Sequence, residues 1–178
     1  MKAGKADLFN KIFFCAVFVV VFIISCVFVP GIRTSGSRNV ICADLLFALS
    51  IVTGIIYENR RAASVIALAF GIVSDIFLTP PIHLSPLLFF FAAYYSAKTV
   101  RVFTRENAVT AAISAIPFFL ARSVVGCVYI LSVNEGVKFG YVIKNVTLPE
   151  LAFNVTSVFF TYFVINFVYK RIKRRFFI

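Results

Sequence analysis

The chain reads as an all-α membrane protein: one bundle of about six transmembrane helices with both termini in the cytoplasm. Three observations predict this. Of the 178 residues, 61% are hydrophobic, and the mean hydropathy is +0.98. A soluble domain of this size needs far more polar surface. Apolar runs of near-spanning length alternate with short polar or Pro/Gly-rich turns. Basic residues gather in every second connection, the pattern of a chain inserted by the positive-inside rule.

The first apolar run covers 12–29 and follows Lys2, Lys5 and Lys11. It is too long for the core of a signal peptide, and no A-x-A site follows it. Ile23-Ile24-Ser25-Cys26 resembles a lipoprotein cleavage box, yet Val27, Phe28 and Val29 continue the run, so an uncleaved helix is expected. Pro30-Gly31 ends it. The second run is 40–57, and the third is 62–78, stopped by Thr79-Pro80-Pro81. The fourth, 84–103, is charge-free only to Ala97; Lys98 and Arg101 can snorkel and let it reach both interfaces. The fifth, 109–131, contains Pro117 as an expected kink. The sixth is 148–169. The longest connection, 132–146, has no room for a domain, so 1–178 is read as a single transmembrane unit.

Sidedness follows from Lys and Arg. Thirteen lie in the N-terminus, the 58–61 and 98–105 loops and the C-terminal tail; four (Arg33, Arg38, Lys138 and Lys144) lie on the other side. The thirteen-residue side is predicted to be cytoplasmic. The net charge of +11 is thereby accounted for by topology, and no basic–aromatic pattern outside the apolar runs points to nucleic acid. Cys15, Cys26, Cys42 and Cys127 stand singly and read as small buried apolar residues. His83, the one histidine, reads as a solvated loop residue. No nucleophile stands beside it in a recognisable motif, so neither catalysis nor a metal or cofactor is expected.

Charges inside a span are costly and need a reason. Asp44, Asp75, Arg122 and Glu150 are such charges, all at similar depth in the outer half of the expected bundle, and suggest an intramembrane polar cluster with Asn154. In the third run Ala63, Ala67 and Gly71 recur every four residues and lead to Asp75, a small-residue ridge that permits close helix packing. Ala111, Ala115, Phe118, Arg122 and Gly126 share one stripe of the fifth run; Glu150, Asn154, Ser157 and Thr161 share one of the sixth. Asp75 is expected to face Arg122 and hold helix three against helix five. Two residues have simpler readings: Glu150 closing a capping box with Thr147, and Asp44 reaching water or Arg38.

The order of features resembles a known family. Ala43-Asp44-Leu45-Leu46 opens the second run; Glu58-Asn59-Arg60-Arg61 makes a short basic turn; Gly71-Ile72-Val73-Ser74-Asp75 closes the third. A brief outer loop and a Tyr-containing helix ending in basic residues follow. The last run opens with Leu148-Pro149-Glu150, includes Asn154 and ends in a basic tail. The chain is similar to MreD, the rod shape-determining membrane protein of bacteria, most strongly over residues 40 to 103. It departs at His83, where the family often has Gly.

The resemblance implies a multi-pass protein of the bacterial inner membrane and a non-enzymatic scaffold of cell elongation and peptidoglycan synthesis. Its implied partners are MreC, through it RodA and a class B penicillin-binding protein, cytoplasmic MreB filaments, and membrane lipids. The six-helix plan also resembles the vitamin-binding S-components of transporters, which makes a small-ligand-binding subunit the alternative. A third reading, a proton-coupled transporter, would need Asp44 or Asp75 to titrate during transport.

Overall fold

A computed structural model describes residues 2–28, 44–57, 59–77, 84–103, 107–133 and 138–177. Every element among them is helical: α1 (Lys2–Phe28), α2 (Leu45–Ile56), α3 (Arg60–Phe77), α4 (Ser85–Val100), α5 (Ala108–Val133), α6 (Phe139–Val142), a π-helical segment (Ile143–Thr147) and α7 (Leu148–Phe177). Three stretches are long and apolar enough to cross a membrane: Asp7–Cys26, Ala108–Tyr129 and Leu148–Arg174. Pro30-Gly31, Arg33, Arg38, the expected start of the second run at 40, Thr79-Pro80-Pro81 and His83 lie outside the described residues.

The axis of the bundle is α2, which packs against α1, α3, α4, α5 and α7. Every residue from Leu46 to Gly54 is buried. Around it α1 meets α3, α3 meets α4, α4 meets α5 and α5 meets α7. Tyr169 of α7 closes the ring on α1, its phenol ring 5.5 and 5.7 Å from those of Phe13 and Phe14. This placement explains the composition of α2, which is apolar all round where a lipid-facing helix has two faces. Its 12 residues extend only about 18 Å, well short of the ~30 Å of hydrocarbon. A helix sheathed by protein need not reach either interface, because neighbouring helices can satisfy its ends.

Small residues set the closest approaches. At Gly54 of α2 an added methyl group would overlap the Ala93 carbonyl and Ser96 Oγ of α4. At Gly71 of α3 it would lie 2.8 Å from Pro86 Cα and 3.1 Å from Phe89 Cβ, both of α4. The Ala63, Ala67 and Gly71 ridge is buried, and at Gly71 it brings α3 close onto α4. Two buried hydroxyls return to their own helices: Ser50 donates to the Phe47 carbonyl at 2.7 Å and Ser114 to that of Ala111 at 2.9 Å. A hydroxyl in apolar surroundings has few other acceptors.

Some boundaries differ from expectation for identifiable reasons. The first helix begins at Lys2 rather than 12, and Asp7 pairs with Lys11 one turn on at 2.8 Å. The last continues to Phe177 rather than 169, since the Lys/Arg tail is made of good helix formers. The largest correction lies at 132–146, expected as a connection. Residues 139–147 are helical and run into α7. Pro149 has no N–H and crowds the carbonyl one turn back, so the ladder widens: the Leu148 N–H bonds the Ile143 carbonyl, five residues back. Thr147 is therefore inside a continuous helix and does not cap it, which removes the capping-box reading of Glu150. Cys15 and Cys26 are exposed rather than buried; Cys127 is buried, and Cys42 lies outside the described residues.

Candidate functional site

The most concentrated polar chemistry lies where the N-terminus of α2 meets α4, α5 and α7. Asp44 is the N-cap of α2: its Oδ1 accepts from the Phe47 N–H at 2.9 Å. An aspartate there meets an unsatisfied backbone donor and the positive end of the helix dipole. Its other oxygen, Oδ2, forms an ion pair with Nη2 of Arg122, on α5. Its backbone N–H donates to Oδ1 of Asn154, on α7, at 2.8 Å. Asn154 is only 3% exposed, so that bond satisfies two buried groups at once.

Arg122 reaches further. Its Nη1 lies 3.5 Å from Ser85 Oγ at the start of α4, a long contact. Its guanidinium carbon stands 5.1 Å from the ring centre of Phe47 and 5.7 Å from that of Phe89. Those rings meet edge to face at 5.1 Å, and Phe119 packs on Phe47 the same way. One planar cation therefore holds a carboxylate on α2, touches α4, and rests on aromatic faces from both helices, a combination that suits guanidinium better than ammonium. Glu150, half-buried on α7, lies close enough to feel the charges of both Arg122 and Asp44.

The expected pairing of Arg122 with Asp75 is corrected here. Arg122 pairs with Asp44 instead, and α4 packs against both α3 and α5. Asp75 sits half-buried near the C-terminal end of α3. Similar depth does not choose among the carboxylates; adjacency does, since α2 packs on α5 and begins at Leu45, which sets Asp44 beside Arg122. Of the predicted residues, Asp44, Arg122 and Asn154 are in direct contact, Glu150 is adjacent, Gly71 lies in the α3–α4 contact, and Ala63 and Ala67 are buried in the core.

A second polar knot, at the other end of the bundle, was not foreseen. Tyr57, 2% exposed, donates from its hydroxyl to Asp7 Oδ1 at 2.9 Å, and the Asn59 amide approaches the same oxygen at 3.5 Å. Tyr169 Oη lies 3.0 Å from Asn10 Oδ1. Phe14 stacks on Tyr57 at 5.4 Å. The available signal was the pair of tyrosines closing two apolar runs: a ring that packs like Phe with a hydroxyl that needs a partner.

An apolar cleft of about 300 Å³ separates the C-terminal half of α5 from 139–151. A second, of about 230 Å³, lies between α1 and α7 beside Leu45. No family model, no curated protein and no solved structure matches the chain.

Proposed function

We propose that this chain is a non-catalytic scaffold of the bacterial cell-elongation machinery, of the MreD kind. In this reading the chain passes through the cytoplasmic membrane six times, α2 being a short pass sheathed by its neighbours, and both termini are inside. The observation that carries the reading is the Arg122 network. Its charge is engaged between helices, with Asp44 and Asn154 joining α2, α5 and α7 and Ser85 and Phe89 adding α4. Such a network sets helix positions and leaves recognition to the outward faces. On α7 those faces carry Phe153, Phe160, Phe163 and Phe167, all exposed, in a stripe suited to a neighbouring transmembrane segment.

The thirteen-to-four charge bias supports the sidedness. Asp7, Tyr57, Asn59 and Tyr169 gather at the end predicted to be cytoplasmic, and Asp44, Ser85 and Glu150 toward the other. The partners in this reading are MreC and, through it, RodA, a class B penicillin-binding protein and MreB filaments.

Depletion of the chain from a rod-shaped host should give round or swollen cells with misplaced wall synthesis. Gentle solubilisation followed by mass spectrometry should recover membrane partners. Normal cell shape together with lost uptake of one vitamin would replace this reading with the S-component alternative.

A further inference from the structure

We propose that the cleft between α5 and the helical stretch 139–151 holds an acyl chain of an anionic phospholipid, with its phosphate against Lys138 and Lys144. One wall of the cleft runs along α5 from Leu120 to Leu131, the other from Phe139 to Leu151; the lining is apolar apart from Ser123, Cys127 and Thr147. Twelve residues of α5 rise about 18 Å, a little over half of the ~30 Å hydrocarbon. The slot is thus as deep as one leaflet. It opens sideways, since Val124, Val128 and Phe139 on its walls are each 60% exposed.

Charge completes the case for an amphiphile with a negative end. Lys138 and Lys144 do not line the cleft themselves; both are exposed, and each adjoins in the chain a residue that does, Phe139 and Ile143. They are two of the four basic residues on the side that the charge bias disfavours, so topology gives no reason for them. Lysine is a compact point charge suited to a phosphate, and basic residues beside intramembrane grooves hold lipid headgroups. At the α1–α7 cleft no lysine or arginine adjoins any lining residue in the sequence. The assignment of the slot to the outer leaflet rests on the topology proposed above; the lipid contact itself does not.

The test places a photoreactive benzoylphenylalanine at Val128, on the open wall of the cleft, and at Phe91, exposed on α4. The full-length protein is irradiated in vesicles of equal parts dioleoylphosphatidylglycerol and dioleoylphosphatidylcholine. Mass spectrometry counts the adducts. Position 128 should be enriched in phosphatidylglycerol several-fold over position 91. Lys138→Gln and Lys144→Gln should each lower the enrichment about fivefold or to the bulk ratio. Both side chains are exposed, so the variants keep the fold. An unbiased ratio at 128, or enrichment that survives the double substitution, overturns the proposal. A polypeptide adduct at 128 in place of lipid also overturns it and gives the cleft to a partner helix. Labelling of a cysteine at position 60 reports separately on sidedness.

Discussion

Removing either charge of the Arg122–Asp44 pair should destabilise the fold, and removing Asp44 should cost more than removing Arg122. Arg122 and Asp44 have side chains 13% and 14% exposed. Breaking a fully buried ion pair costs about 3–5 kcal/mol, because the surviving charge is stranded. Here the stranded groups keep some partners. In Arg122→Met, Asp44 retains the Phe47 N–H and the helix dipole, so about 2 kcal/mol is expected. In Asp44→Ala the helix cap, worth about 1 kcal/mol, is lost as well, giving about 3 kcal/mol. At roughly 2–4 °C per kcal/mol for a chain of this length, the midpoints should fall by about 4–8 °C and 6–12 °C. Fluorescence-detected size exclusion after heating in mild detergent would measure them. Asp44→Asn keeps a capping oxygen and should fall between wild type and Asp44→Ala. Combined with Arg122→Met, it should cost less than the sum of the two single changes by about 1 kcal/mol or more. Asp75→Asn combined with Arg122→Met should be additive, since Arg122 pairs with Asp44 instead. Coupling at Asp75 together with additivity at Asp44 would refute the pairing.

Gly54→Ala forces a methyl group into the Ala93 carbonyl and should lower the melting midpoint or yield, by about 1–3 kcal/mol of overpacking; Gly126→Ala, with open space at its Cβ, should be neutral or stabilising by up to about 1 kcal/mol. Pro149→Ala restores the missing N–H and should let the π turn close to an α turn, re-aiming 139–147; cross-linking of Cys127 to a cysteine placed at Ile143, both on the cleft wall, should drop in that variant. Tyr57→Phe removes a hydrogen bond to Asp7 while keeping the ring stack on Phe14, and should cost about 1 kcal/mol in the same heating assay. A cysteine at position 60 should label from the cytoplasmic side only, and labelling from outside would overturn the sidedness.

The helical plan was legible because apolar runs and their Pro/Gly stops are local features. Charge within an apolar run also singled out Asp44 and Arg122, and the stripe through Glu150 singled out Asn154. Their pairing was not legible, because depth counted along one helix says nothing about which helix is its neighbour. One local signal was available: an aspartate directly before the apolar run Leu45-Leu46-Phe47 is an N-cap pattern, and it would have moved the start of α2 from 40 to 45. The ridge of Ala63, Ala67 and Gly71 announced a close approach, but small-residue spacing does not name the partner, which is α4. Pro149 was read as a helix start, where proline is favoured. Val142, 1% exposed, shows why the chain stays helical before it: packing holds that turn in place, and the ladder widens to accommodate the proline.

In the proposed scaffold Arg122 and Asp44 hold helices together and carry no substrate or proton. The most direct measurement is complementation by the neutral pair Asp44→Asn with Arg122→Met in a rod-shaped host depleted of the chain. The protein should reach wild-type levels and restore rod shape, the charges acting through structure alone. Wild-type levels with round cells would contradict it, because a folded scaffold would then have lost a function that resides in the charges themselves.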